Sequence, residues 1–460
     1  MEHKILVNKI FKEVISPGNC FHCGLCEGLS KNLFKMNKSP NGPIPKLVRK
    51  PNSRDIKDLK MIIHACPGRG FPYNYLSNKL HSTKKNKLIG NYNKLLIASS
   101  NKKRIREKSS SGGVIRSLLI ELINSKKIDY VCVLDKKKNE VLDFDILITR
   151  NIDEITNVSQ SIYQTTPLLH RLKDLKKNKK YVFVGLPEHV ASLRVLKMSY
   201  PKEFNHIKFL ISIYSGTNMY PGAIEFYLKG NGIKSLKEIR KIDWRYGEWP
   251  GRLRIITKSN KMLSLKKFYY NYLIPFFISK NCLITPDFTG ELSDISVGDA
   301  WSPKLESQGY GYSVVILRSK KLDKVMNNLK KKNILSLKNV NLENTIKMHA
   351  HMIEFKKIGS FLRVKKLKKK GPVPLYDLKP TDITFSRRLI EFIIRIIIST
   401  ASNNITKSFF SIIGSSIMGY LFQFIRKFWK FVTKPTKRKG LKDIRFTNIN
   451  NKRLKEFFST

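Results

Sequence analysis

The sequence predicts a mixed α/β protein, α+β in its broad class, with a small cysteine-bearing unit in front and a basic helical tail behind. Three observations carry this. Strand-like and helix-like segments alternate from about residue 90, three of the six cysteines crowd into "NCFHCGLCEGLS", and a lysine-rich, strongly apolar stretch closes the chain.

The N-terminal "MEHKILVNKIF" has too short an apolar part for a signal peptide, so the cysteines are expected to stay reduced in a cytoplasmic protein and to serve metal or redox work. Residues from about 15 to 70 hold the cysteine cluster, the polar insert "NKSPNGPIPKLVRKPNSRD" and then "HACPGRG". They read as a loop-rich unit organised by something other than a hydrophobic core.

Next come "KLLIASS" as a strand, "GGVIRSLLIELINS" as a helix with apolar residues at helical spacing, and "DYVCVLD" as a strand. "PLLHRLKDLKK" reads as a helix, "YVFVGLP" as a strand ending in a turn, "EHVASLRVLKM" as a helix and "IKFLISIYSG" as a strand. Beyond Gly230 the pattern turns mixed, with β segments around "IDWRYGEWPGRLRI" and "ELSDISVGDAWSP".

In the tail, Ser408 to Ile425 is a run of eighteen residues without a charge, close to the roughly 20 that a membrane span needs but interrupted by Ser, Gly and Gln. Ser408, Ser411, Ser415, Gly419 and Gln423 fall near one helical face, and basic residues with Trp429 flank its end. This pattern suits a helix lying on an anionic membrane surface; packing on the body or on a second subunit is the alternative.

Lysine plus arginine number 88 against 34 acids, a net charge of +54. The excess is spread along the chain rather than gathered into one basic arm, and it travels with many Ile and Asn. Compositional drift with attraction to anionic lipid accounts for it better than specific nucleic-acid binding.

Cys20, Cys23 and Cys26 follow C-x2-C-x2-C spacing, which lets one loop wrap an iron-sulfur cubane with each thiolate on a different iron; Gly24 permits the tight backbone. In bacterial ferredoxins a C-P follows three residues after the triad, whereas here Ser30 and Lys31 stand at that place. The fourth ligand must be remote, and Cys66, directly before Pro67, completes a set for one [4Fe-4S] cluster. Zinc, with His22 or His64 joining, is the competing reading. Cys132 reads as a buried strand thiol and Cys282 as a lone loop cysteine.

"SSSGGV" lies between a strand and a helix, so Ser110, Ser111, Gly112 and Gly113 form a candidate site for a phosphate or pyrophosphate, or an ordinary capped turn. Gly185, Leu186 and Pro187 stand at a strand end where open α/β sheets bind ligands. Candidate acid-base residues are His189, Glu188 and Asp299. The sequence contains no hydrolase constellation, P-loop or G-x-G-x-x-G fingerprint.

Taken in order from Cys20 to Ser319, "CFHCGLC", "ACPG", "SSSGGVIRSLLIELI", "SIYQ", "YVFVGLPEHVASLR", "WRYGEWPGRLRI", "CLITPDFTGELSDISVGDAW" and "GYGYSVVILRS" resemble the coenzyme F-420 hydrogenase/dehydrogenase beta subunit family. That family also includes plant-type chlorophyll reductases. The resemblance implies an iron-sulfur flavoprotein, with a ferredoxin-like [4Fe-4S] unit over residues 1–75. A flavin-binding domain would follow in two parts, 85–225 and 226–375, and an amphipathic basic helical tail over 380–460.

By the same resemblance the Ser/Gly loop would contact FAD or FMN, and the turns at Gly185 to Pro187 and at Gly298 and Asp299 would line its pocket. Relatives often carry further cysteines where this chain has Glu188, Ser215 and Thr285, so one cluster and one flavin are expected. The expected function is an oxidoreductase passing electrons between the cluster, the flavin and an organic substrate or deazaflavin, with a ferredoxin-like partner. Surface-polysaccharide metabolism at the inner face of the membrane is a context some relatives imply. The alternatives are an electron-delivery subunit without a substrate of its own and, last, a zinc-bearing nucleic-acid binder.

Overall fold

The computed structural model describes residues 1–81, 83–137, 140–433, 441 and 444–449. Its centre is an eight-stranded mixed sheet built from β1 (Lys94–Ser100), β2 (Tyr130–Lys137), β3 (Glu140–Thr149), β4 (Tyr181–Gly185), β5 (Ile207–Ile213), β6 (Ile295–Asp299), β7 (Ser313–Leu317) and β8 (Leu335–Asn339). The spatial order is β8-β1-β7-β6-β5-β4-β2-β3. β2, β4, β5 and β6 are mutually parallel, and the strands outside them pair antiparallel.

The parallel block explains why "YVFVG" is apolar throughout. Strands covered on both faces cannot alternate, and all five residues of β4 are buried. Val182 and Val184 join the core under helices α1 (Val114–Asn124) and, from further along the chain, Lys320–Lys331. Tyr181 and Phe183 point to the opposite face, against α2 (Pro187–Ser199). α2 is buried from Pro187 to Leu196 because the sheet lies on one side and the cysteine unit on the other. A separate antiparallel meander (Ile239–Tyr246, Arg252–Thr257, Met262–Lys266) packs its own core around Trp244.

Three expectations are corrected. The cysteine unit does have an apolar core: Val7 and Ile10 of helix Glu2–Ile10 meet Leu59 and Ile62 of helix Ile56–Ala65, with Leu33 and Phe34 beneath. Both helices are amphipathic, and pairing them buries what neither could bury alone.

"PLLHRLKDLKK" is no α-helix; only His170–Asp174 forms a 3-10 turn. The Leu169 N–H donates to the Cys23 carbonyl at 2.8 Å, and Gly24 and Gly28 are pressed against Pro167 to His170 so closely that a Cβ on Gly28 would lie 1.9 Å from the Leu169 oxygen. Docking onto the cysteine loop has overridden helical propensity.

The uncharged run in the tail is not one helix. Helix Asn404–Phe410 ends and helix Ser415–Thr433 begins after a turn, because Ser411 back-bonds to Ser408 O at 2.7 Å and Ser415 is held by Asn231 at 3.0 Å. No single helix among the described residues is long and apolar enough to cross a membrane, although Phe385–Ala401 and Asn404–Phe410, bent by 74°, pass a length and composition test together. The basic "KPTKRKG" lies outside the described residues.

Candidate functional site

Because β1, β2, β4, β5 and β6 run the same way, their C-terminal ends share one edge of the sheet, joined there by the start of antiparallel β7. Ligand sites in α/β sheets form at that edge. The candidate residues fall into two constellations.

The first is the cysteine cradle. Gly24, at φ +82°, turns the chain so that helix Leu25–Leu29 starts between Cys23 and Cys26. Cys66 closes helix Ile56–Ala65, where Pro67 stops it. Burial pushes the Cys20 thiol up to about 12 and raises Cys23 and Cys26 well above the ordinary thiol value, and the charge of Cys66 raises all three further. That Cys66 is felt at all three places the four sulfurs near one another.

What opposes it is backbone: the His22 N–H donates to Cys20 Sγ at 3.4 Å, and the Leu25 N–H likewise favours the Cys23 thiolate. Four neighbouring thiols, Cys23 and Cys66 buried and Cys20 and Cys26 half-buried, three of them resisting ionisation, are a donor set short of positive charge, which a metal centre supplies. Among the described residues no three His, Cys, Asp or Glu side chains converge on one ion position. A single tetrahedral ion would draw its sulfurs to within about 4 Å of one another, since Zn–S is about 2.3 Å. His22 is occupied otherwise, its Nδ1 lying 2.9 Å from the Pro43 oxygen, and His64 packs edge-on to Tyr200.

Against this cradle lie Gly185, Leu186, Pro187, Glu188 and His189. The buried Glu188 carboxylate accepts from Asn281 at 3.1 Å and adds to the repulsion at Cys23; burial raises its own pKa, with Lys356 opposing. Lys356 is itself pulled down by burial and feels both Glu188 and Cys282. His189 Nδ1 accepts the Leu186 N–H at 3.3 Å, and burial takes its pKa down to about 3. Its Nε2 finds no hydrogen-bond partner.

The second constellation is a cleft of about 1540 Å³ lined by Arg106, Ser109 to Ser111, Ser159 to Ile162, Arg240 to Gly251 and Gln308 to Tyr312. That exceeds the roughly 300–1,000 Å³ of a drug-sized site. Its walls are cationic and aromatic: Arg106 stacks over Tyr312 at 4.8 Å, Arg254 over Tyr246 at 3.2 Å, and Trp249 sits 4.4 Å from Trp301. The Ser/Gly loop forms one rim, with its hydroxyls committed to holding shape. Ser110 Oγ accepts from the Ser161 N–H at 2.8 Å and Ser111 Oγ donates to Tyr312 O at 2.6 Å. Gly112 N–H donates to Ser313 Oγ at 3.1 Å, and a Cβ on Gly112 would lie 2.4 Å from Ala98 O. Gly113 is the left-handed N-cap of α1, at φ +75°.

The structure therefore separates residues that the sequence placed in one pocket. Ser110 and Ser111 line the cleft, whereas Gly185, Leu186 and Pro187 do not. Gly298 is backed by the Tyr214 ring, which a Cβ there would meet at 2.3 Å. Asp299 lies behind the cleft wall and is tied to it by a residue that sequence reasoning missed.

Arg245, with 2 % of its side chain exposed, reaches Asp299 Oδ2 at 3.1 Å, Tyr163 Oη at 3.1 Å, Ser110 O at 2.7 Å and Pro250 O at 2.5 Å. Burial alone would lower its pKa; Asp299 and Tyr163 more than reverse that. Lys267 Nζ sits 3.5 Å over the Tyr163 ring. Burial would raise the Tyr163 phenol, but Lys267 and Arg245 together hold it below the usual tyrosine value. The available signals were "SIYQ" and the arginine inside "WRYGEWPG".

Two family models match the body of the chain. Residues 95–173 match the N-terminal part, and residues 178–343 the C-terminal part, of the family described as "Coenzyme F420 hydrogenase/dehydrogenase, beta subunit". The cysteine unit precedes both matched ranges. The chain is 27 % identical over 264 residues to a coenzyme F420 hydrogenase subunit beta from Methanococcus voltae, covering 55 % of this chain and 86 % of that one. It is 23 % identical over 346 residues to a coenzyme F420-dependent sulfite reductase from Methanocaldococcus jannaschii, covering 71 % of this chain but only 48 % of the reductase. A chain of the F420-reducing [NiFe] hydrogenase complex from Methanosarcina barkeri superposes with a TM-score of 0.50 at 17 % identity, over 63 % of this chain and 98 % of that one. That likeness is one of fold.

Proposed function

Because this chain belongs to the coenzyme F420 hydrogenase/dehydrogenase beta subunit family, we propose that it is an iron-sulfur flavoprotein oxidoreductase acting on an organic substrate or a deazaflavin. The observation that carries the reading is the four-thiol cradle, Cys23 and Cys66 buried and Cys20 and Cys26 half-buried, packed against the same sheet whose edge opens into the cleft. Bound there, a [4Fe-4S] cluster would supply one-electron steps and FAD or FMN two-electron exchange.

The chain's own residues set the conditions. Cys20, Cys23, Cys26 and Cys66 hold the cluster, with the His22 and Leu25 amides directed at sulfur. α2 and the Leu169 segment cover the cradle and keep water from it. In the cleft, Arg106 and Lys103 offer charge to a phosphate or pyrophosphate, and Trp249, Tyr310 and Tyr312 offer faces to a planar ring. Arg245 orients the Ser/Gly rim, and the Tyr163 phenol, acidified by Lys267 and Arg245, is placed to hold or release a proton beside it. Asp299 acts through Arg245. Glu188 and His189 stand at the cradle.

The test is anaerobic purification with an absorption spectrum and iron, sulfide and flavin analysis, on the wild type and on Cys66→Ala. The reading expects four irons and one flavin per chain, with iron lost from the variant; a chain carrying neither, or unchanged by the substitution, refutes it. A second reading, an electron-delivery subunit, draws on the fold likeness to a chain of a multi-subunit hydrogenase complex. Turnover of the isolated chain with an artificial electron donor excludes it; activity only with a partner supports it.

A further inference from the structure

The tail is amphipathic in the reverse sense to a soluble helix. Several of its polar residues face inward: Ser411 and Ser415 are buried, and Gln423 donates to the Phe268 carbonyl, while Gly419 lies against Tyr269. Helix Phe385–Ala401 is bolted down by a buried ionic network, Arg363 with Glu391 at 2.5 Å, Arg387 with Glu354 at 2.6 Å and Arg387 with Glu391 at 3.2 Å. Ile394 and Ile398 add an apolar seat. The helices are thus fixed to the body with a defined outer side.

That outer side is apolar. Of the twenty-five exposed large hydrophobic side chains among the described residues, fifteen lie between Phe385 and Phe428. Phe385, Ile405, Ile412, Ile417, Phe424 and Phe428 are 66 % to 81 % exposed. Such a concentration of exposed apolar side chains in one segment marks an interaction site.

Charge identifies the occupant. From Phe385 to Thr433 there are seven Lys and Arg and a single acid, Glu391, which the inner network consumes. Beside helix Phe385–Ala401, the exposed Lys365, Lys366, Lys368, Lys369 and Lys370 extend the basic rim, and Lys366 is close enough to both Arg395 and Lys370 for like charges to repel. Bulky Ile and Phe ringed by unneutralised lysine fit poorly with a protein interface, where lysine is depleted. They match an acyl layer under anionic headgroups, where each basic residue near the surface adds attraction. With no single helix able to cross among the described residues, the fit is to a helix array lying in the membrane surface.

We propose that the segment from Phe385 to Phe428 docks this protein onto an anionic lipid bilayer, Ile and Phe immersed and the Lys365 to Lys370 rim at the headgroups. The inference is independent of the redox reading, since it uses no cradle or cleft residue.

The test floats the full-length protein with phosphatidylcholine vesicles containing about one third phosphatidylglycerol, and with phosphatidylcholine alone. Two variants are compared: Ile412→Ser/Ile417→Ser/Phe424→Ser, all at exposed positions, and Lys366→Glu/Lys369→Glu/Lys370→Glu, with circular dichroism confirming the fold of each. The proposal expects binding to the anionic vesicles at least about tenfold tighter than to neutral ones, falling with salt. The serine variant should lose about a hundredfold or more and the glutamate variant about tenfold or more. Equal binding to both vesicle types, or binding the serine variant retains, overturns it. So does a protein that ignores vesicles and forms a dimer in light scattering that the serine variant splits, which assigns the face to a second copy.

Discussion

Arg245→Met offers the sharpest test of how the cleft is held. The methionine keeps much of the aliphatic volume and removes the guanidinium that ties four segments together: β6 through Asp299, the Tyr163 segment, the Ser/Gly rim through Ser110 O, and the meander turn through Pro250 O. Asp299, whose side chain is 17 % exposed, then keeps its charge without a partner. Removing one member of a buried ion pair costs about 3–5 kcal/mol. Of the two carbonyls released, Ser110 O borders the cleft, where water can replace the guanidinium, so the upper end of that range is the ceiling.

Urea unfolding of the wild type, Arg245→Met, Asp299→Asn and the double variant, followed by tryptophan fluorescence, reads the effect beside Trp249 and Trp301. The double variant should recover about 2 kcal/mol or more of the summed losses, because neutralising Asp299 removes the stranded charge. A loss under about 1 kcal/mol for Arg245→Met, or strict additivity, refutes the clamp.

The other expectations test the neighbouring parts. Cys282→Ala should leave iron and sulfide content unchanged, since Cys282 is bonded to Ser279 and Asn218 and faces Lys356; loss of iron would place it among the ligands. Gly28→Ala should cost about 1–3 kcal/mol or more, measured by thermal unfolding, because the new methyl meets the Leu169 carbonyl at 1.9 Å. In a spectrophotometric titration Tyr163 should be the first tyrosine to ionise, below the usual value, with that phase absent in Tyr163→Phe and moved upward in Lys267→Met. Acidification should destabilise the fold. Burial depresses His81 and His349 to about 4 and His189 to about 3, so near pH 5 the unfolded chain binds about three more protons there. Glu291, raised to about 7 by burial, binds one more proton when folded. From these four groups alone a net of about two protons predicts a loss on the order of 2–3 kcal/mol as pH falls from 6 to 5. Flat unfolding midpoints over that interval contradict the burial of these imidazoles.

Much of this was legible locally. The apolar runs "KLLIASS" and "YVFVG", the helical period of "GGVIRSLLIELINS" and the two-residue spacing of Cys20, Cys23 and Cys26 are properties of neighbouring residues, and local period and spacing survive folding. Cys66 could be named as the fourth candidate because the triad lacks another sulfur nearby. The sequence by itself therefore determined the strands at β1, β2, β4 and β5, the helices α1 and α2 between them, and the sign of the charge, and it named the candidate ligands.

Only tertiary structure decided what those parts do together. Parallel strands bring Ser100, Asp135, Asp299 and Tyr312 to one edge although more than two hundred residues of chain separate the first from the last. Register, which no local pattern specifies, then places Arg245 between them. The same physics turned "PLLHRLKDLKK" into a turn on the cysteine loop and parted the Gly185 turn from the cleft. In the tail, periodicity showed that a polar and an apolar face exist. Which face met the body depended on Asn231, Tyr269, Arg363 and Glu354, all distant in sequence, and their bonds to the polar side left the apolar side outward.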